Sequence, residues 1–174
     1  ELLLWVAEAA TKRPATELLC ALQAGIRAQD AAFWASDAQG TALADGLALS
    51  LRDFAALGQS LLDIRARPGR RSVAPAWFVE TIASPGDSGH ALPTAWRNLG
   101  SGGRWQYRFV HPGGGGHRAA IIGAFGTSLY VDFDHATVVA IYASHPERAS
   151  PVLMASLRQV WETLARGADA RAGG

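Results

Sequence analysis

From residue 104 onward the sequence consists of short apolar stretches joined by links too short to cross a sheet, and nothing else in the chain limits the fold as strongly. "RWQYRFVH" at 104–111 alternates Trp105, Tyr107, Phe109 and His111 against Gln106, Arg108 and Val110, a period of two that predicts one strand with the two sets on opposite faces. A glycine run at 113–116 follows, and 117–123, 127–133 and 137–143 each read as a strand, with Asp134-His135 as a tight connection. A parallel crossover needs about a dozen residues or more, so these neighbours are antiparallel, in a sheet of about four strands. Ser150-Pro151 then opens a final helix by a cap and an N1 proline. Its Leu153, Leu157, Val160 or Trp161, and Leu164 share one face, which is the available cover for the sheet.

Ahead of the sheet the period is helical. Residues 2–11 place Leu3, Val6 or Ala7, and Ala10 on one side; Thr16 to Gly25 reads as a short helix carrying Leu18, Leu19 and Leu22, with Ile26 continuing the pattern. The stretch 30–49 has turn signals at 37–40 and at Asp45-Gly46 and reads as loop with a short extended piece. Ser50 is a natural cap for a helix with Asp53 in its first turn and Phe54, Leu57, Leu61 and Ile64 on one face, ended by Pro68-Gly69. A short helix from Pro75 to Ile82 brings Trp77, Phe78 and Ile82 towards the core, and "SPGDSGHALP" is turn-rich. The expected class is α/β in the α+β sense, an antiparallel sheet with flanking helices. It is one partial domain with helices and loops at 1–100, strands at 104–143 and a packing helix at 150–166.

Composition sets the remaining bounds. A hydrophobic fraction of 49% with six tryptophans in 174 residues is globular, and no apolar run reaches the roughly 18 residues of a membrane helix. A soluble chain is expected, with the compartment open. The net charge of +1 leaves no field for nucleic acid, and Arg65, Arg67, Arg70 and Arg71 around Pro68-Gly69 read as a solvated loop. Lone Cys20 excludes an internal disulfide and any multi-cysteine zinc site. "ELLLWVAEAA" starts without methionine or a basic leader and reads as a helix already under way, as in a piece of a larger fold.

Short motifs offer little chemistry. "GDSG" at 86–89 matches the nucleophile segment of chymotrypsin-like proteases, but no histidine precedes His90 to serve Ser88 as base, and the nucleophile elbow would need glycine where His90 stands. "HPGGGGH" at 111–117 presents two histidines, too few to close a zinc site, and lacks the lysine and hydroxyl of a phosphate loop. Asp132 and Asp134 share a strand face at spacing two and read as solubilising strand ends. Lys12 is the only lysine, with Ala9 three residues before it, so no Ser-x-x-Lys pair exists. Tyr107, sharing a face with Trp105 and Phe109, reads as packing rather than a base, and Trp34 as an anchored loop aromatic. No cofactor is expected.

The order of these elements resembles the C-terminal half of the serine beta-lactamase-like hydrolases, the group of class C beta-lactamases, D-aminopeptidases, esterases and 6-aminohexanoate-dimer hydrolases. The pieces that carry it are "ELLLWVAEAATKRPATELL", "DAAFWASDAQGTALADGLALSLRDFAALGQSLLD", "APAWFVETI", "RWQYRFV" and "GTSLYVDFDHATVVAIYASHP", in the family's order over nearly the whole chain. The segments at 30–34 and 44–53 resemble the amide hydrolases of 6-aminohexanoate oligomers more than true beta-lactamases.

That resemblance implies a beta-lactamase/transpeptidase-like fold, here incomplete, and an acyl-enzyme mechanism in which serine attacks an amide or ester while lysine and tyrosine move its proton. The family's Ser-x-x-Lys and Tyr-x-Asn segments precede the equivalent of Glu1. Its Lys-Thr-Gly or His-x-Gly motif falls at Ile121, Ile122 and Gly123, so the cationic side chain is replaced by isoleucine and a neutral substrate is implied. Ala124 N–H resembles the second oxyanion donor, Gly123 permits close approach along the strand, and Trp34 corresponds to the substrate entrance. The chain alone is expected to be inactive, its partner being the missing N-terminal portion or a second copy. The alternative is a non-catalytic binding or interaction module on the same sheet.

Overall fold

The computed structural model describes residues 2–69, 73–84 and 86–172. Arg70 and Arg71 of the arginine cluster lie outside these residues, as do Glu1 and Pro85. The chain groups into two compact units, 1–57 and 58–174. Together they give a mixed α/β architecture with antiparallel sheets and flanking helices.

The first unit holds α1 (Leu2–Thr11), α2 (Ala15–Ile26), the strands β1 (Phe33–Ser36) and β2 (Ala42–Ala48), and the start of α3 (Leu51–Ala66). Helix α2 stops because Arg27 turns left-handed, at φ 56° and ψ 46°, and the N–H of Ala28 returns to Gln23 C=O at 2.8 Å. The segment expected to be loop with a short extended piece is an antiparallel hairpin, Phe33 opposite Ala48 and Trp34 opposite Leu47. Its turn is closed by Asp37, whose Oδ1 accepts from the N–H of Gln39 at 2.9 Å and of Thr41 at 2.8 Å. Asp45-Gly46, a turn signal by composition, falls inside β2, and a register shift between Trp34 and Ser36 erases the alternation that would have betrayed the pair. Ser50 caps α3 as expected, its Oγ accepting from Asp53 N–H at 3.1 Å.

The second unit contains the rest of α3, helix α4 (Ala76–Ala83), six strands and the long helix α5 (Pro151–Ala172). The strands are β3 (His90–Ala91), β4 (Arg104–Gln106), β5 (Phe109–His111), β6 (Arg118–Ile122), β7 (Ser128–Asp132) and β8 (Thr137–Ile141). They lie side by side in chain order, every neighbour antiparallel. Alternation sorts their side chains onto two faces, and both are covered. Val110, Ala120, Tyr130 and Val139 pack with Leu99 and with Leu153, Met154, Leu157, Trp161 and Ala165 of α5 or its start. Ala119 and Val131 pack on the opposite face against Leu61, Leu62 and Ile64 of α3 and Val79 and Ile82 of α4. The sheet is thus the middle of three layers, and all five residues of β7 are buried.

One expectation is overturned in the sheet. Residues 104–111 do not form a single strand: Tyr107 and Arg108 both adopt left-handed backbone, at φ 50° and 69°, and reverse the chain between β4 and β5. Two consecutive positive φ values make the tight turn whose twist matches paired strands, a place usually held by Asn-Gly. Trp105 is therefore opposite Val110 and Gln106 opposite Phe109, so Trp105, Tyr107 and Phe109 do not share a face. The reversal, with β3 pairing onto β4, makes a sheet of six strands where about four were expected.

Candidate functional site

Strand β6 has a complete partner on one side and a partial one on the other. All five of its residues are in register with β7, from Arg118 opposite Asp132 to Ile122 opposite Ser128. Towards β5 the register is a single pair, Val110 opposite Ala120. Past Ala120 the strand loses its neighbour, and a cleft of about 560 Å³ opens beside it. Ile121, Ile122, Gly123 and Ala124 form one wall, faced by Trp96, Trp105 and Val110 and by the guanidinium-bearing Arg108 and Arg148.

The interruption between β6 and β7 is held by backbone hydrogen bonds. Gly123 N–H donates to Thr127 C=O at 2.8 Å, Phe125 N–H to Arg148 C=O at 3.1 Å, and His145 N–H to Phe125 C=O at 2.9 Å. Phe125 sits at φ 59° and Gly126 at φ 90°, so the chain makes its corner through a left-handed pair. None of these bonds uses the N–H of Ala124, which lies partly exposed on the cleft wall. Gly123 itself is extended, at φ −89° and ψ −177°, and its position demands no glycine on conformational grounds.

The structure therefore brings four of the residues singled out from sequence onto one wall. Trp34 belongs to the first unit, where it lies on β1 and its Nε1 donates to Leu43 C=O at 2.6 Å across the hairpin. Trp96, Trp105, Arg108 and Arg148 were missed. Arg108 entered the cleft because the chain reverses at 107–108, and Arg148 because its carbonyl holds Phe125; no periodicity carries either signal.

The other motifs settle into structural roles. Gly86–Ser88 is a turn of 3-10 helix, and the Ser88 side chain lies outside the described set. Asp132 is not a solubilising strand end: only 2% exposed, it accepts from Asp134 N–H and His135 N–H, each at 3.1 Å, and from the Tyr130 hydroxyl at 3.2 Å. Arg118 Nε at 3.5 Å brings a positive charge beside it and His135 Nδ1 lies at 3.0 Å, both off the line of a hydrogen bond. Burial, and then the Asp132 charge, raise the Tyr130 hydroxyl far above the ordinary tyrosine range, so this phenol donates and does not act as a base. Asp134 pairs with His117, Oδ1 to Nδ1 at 2.8 Å and Oδ2 to the backbone N–H at 2.8 Å. Arg65 is paired with Glu80 at 3.2 Å and lies over the Phe133 ring, and Arg67 is 3.5 Å from Asp63. Among the described residues no helix is long and apolar enough to cross a membrane.

Compared with models of protein families and with curated proteins, the chain matches none.

Proposed function

We propose that this chain is the C-terminal part of a serine hydrolase of beta-lactamase/transpeptidase-like fold, acting on an amide or ester through an acyl-enzyme whose nucleophile lies outside these residues. The observation that carries the reading is the cleft beside the unpaired end of β6, with Ala124 N–H left out of the bonds that hold the neighbouring corner. An extended substrate laid along Ile121 to Gly123 would place its carbonyl oxygen near that donor, and a fixed backbone donor of this kind stabilises a developing oxyanion whatever side chain it bears. Alone it supplies only part of the barrier reduction, because attack needs a serine with a proton acceptor.

Substrate charge is read differently once the cleft is known. Isoleucine at the position of the family's cation suggested a neutral substrate. Arg108 and Arg148 restore positive charge from other elements, so the substrate class extends to amides and esters carrying a carboxylate. The outer side of β8, unpaired among the described residues, and the exposed Leu2, Leu3, Trp5 and Val6 of α1 favour a fold completed by further polypeptide over a free-standing binding module.

A fluorophosphonate probe and a chromogenic ester test this. The isolated chain is expected to take up no label and to release no product. Added to a polypeptide carrying Ser-x-x-Lys and Tyr-x-Asn from the same reading frame, it is expected to restore turnover that disappears when that serine is replaced. A stoichiometric adduct on a serine of the isolated chain, or a reading frame without those motifs, overturns the proposal.

A further inference from the structure

Strand β6 ends at the cleft just described; at its other end, roughly 13 Å away at about 3.3 Å per residue, lies a second hollow. It has a volume of about 320 Å³, and its lining includes Arg104, His111, Gly115, Gly116 and His117. The glycine run between the two histidines is the motif that the hydrolase reading leaves unused.

The four half-buried arginines of the described chain are Arg65, Arg104, Arg118 and Arg158. Three have a carboxylate: Glu80 for Arg65 at 3.2 Å, Asp132 for Arg118 at 3.5 Å and Glu162 for Arg158 at 2.7 Å. Arg104 has none within ion-pair distance among the described residues; its Nη1 donates to Gly89 C=O at 3.3 Å, and it lines the hollow. A cation drawn out of bulk water without an anion is unfavourable, and an entering anion would relieve that.

The two histidines have different standing. His111 is spent on the loop, Nδ1 accepting from Gly113 N–H at 3.3 Å and Nε2 lying 3.1 Å from Gly116 C=O. His117 gives its Nδ1–H to Asp134 Oδ1 at 2.8 Å, and the residue lines the hollow. Asp134 is fixed in turn, since the His117 backbone N–H, and then the ring, hold its carboxyl below the usual carboxylate range.

The loop shapes the remaining wall. Gly113 to Gly116 have φ of 73°, 79°, 80° and 76°, a run only glycine sustains, and a methyl group on Gly116 would lie 2.7 Å from Asp134 Oδ2. Nothing stands within 4 Å of the space beside Gly115, so a ligand atom has room against the backbone there. This is no nucleotide phosphate loop, because neither a lysine nor a helix follows it.

We propose that this hollow binds the oxyanion of a small ligand, a phosphate or a carboxylate group, between the Arg104 fork, the His117 ring and the backbone of Gly115 and Gly116. The site is independent of the hydrolase reading.

Inorganic phosphate and acetate, each titrated at constant ionic strength against sodium chloride, distinguish the two anions. Saturable chemical-shift changes are expected in the Gly115 and Gly116 amides and in the His117 ring. Whichever anion binds more tightly identifies the group recognised. Arg104→Gln is expected to weaken binding at least tenfold, and His117→Gln several-fold. If Arg104→Gln does not fold, Arg104→Lys, which keeps the charge without the fork, is expected to bind more weakly than the wild type. Shifts that fail to saturate, that chloride reproduces, or that survive unchanged in the folded arginine variant overturn the site.

Discussion

The Trp161 indole lies parallel to the Tyr130 ring, centroids 5.1 Å apart at 9°, and its Nε1 donates to the buried Ser128 hydroxyl at 3.3 Å. One side chain of α5 thus fixes both the spacing of the helix over β7 and its rotation. Trp161 and Tyr130 are each 1% exposed, so the stack is in the middle of the core. Trp161→Ala is expected to cost about 3–5 kcal/mol and Trp161→Phe less, because the smaller ring keeps the stack and loses the hydroxyl bond. Urea unfolding followed by far-ultraviolet circular dichroism measures both, and a loss below about 1 kcal/mol for the alanine variant contradicts this packing.

Gly58 lets α3 approach the sheet. A Cβ there would stand 2.6 Å from Val138 Cγ1 and 3.1 Å from Leu129 Cδ1. Alanine is the better helix former by roughly 1 kcal/mol, yet overpacking of this kind costs about 1–3 kcal/mol. The expected outcome of Gly58→Ala is net destabilisation, read as a lower denaturation midpoint at unchanged slope; a gain in stability shows that β8 yields at Val138.

Arg108 separates stability from function. At φ 69° it holds a left-handed position that glycine adopts without strain, so Arg108→Gly is expected to raise stability by about 0.5–1 kcal/mol. If the proposed hydrolase is assembled from this chain, the same change removes a cation from the cleft and should raise KM for a carboxylate-bearing substrate more than for a neutral one. Equal effects on the two substrates place Arg108 outside the binding path.

Asp53 makes stability depend on acid pH. Its carboxylate accepts from Gln29 N–H at 2.9 Å and from Asp30 N–H at 3.0 Å. The Gln29 bond first, then Asp30, Ser50 and Arg52, hold its pKa below the ordinary 3.8 against the opposing effect of burial. A depressed folded-state value stabilises the fold fully above the unfolded value and is lost as pH falls through the folded one. Stability should therefore decline as pH drops from about 4. Asp53→Asn should be less stable than wild type at neutral pH and show a shallower acid decline; parallel profiles for the two proteins refute the assignment.

The sequence showed the second unit more clearly than the first, for reasons that can be traced to residues. Periodicity works where both faces of an element are specified, as in β6 to β8 and α5, and the corner at 123–127 was placed by its glycines. It failed at Tyr107-Arg108, since alternation runs unbroken through a turn made by two residues whose types do not favour positive φ. It failed again at 33–48, where the turn residues inside β2 belong to a strand with an irregular register. The wall of the cleft was legible because it is contiguous in the chain. Its opposite side was not, because Trp96, Trp105, Arg108 and Arg148 meet only when the sheet is built. Asp132 was misread because strand spacing says which way a carboxylate points and nothing about the amides waiting for it.

Because the six strands follow one another across the sheet in chain order, each can dock onto the one made just before it. The widest gap between paired strands, from Ala91 to Arg104, closes a modest loop, and no strand has to be threaded between two others. The ordering entropy is then lost in small successive steps, and the sheet should assemble from its hairpins faster than a sheet of equal size whose neighbours are distant in sequence.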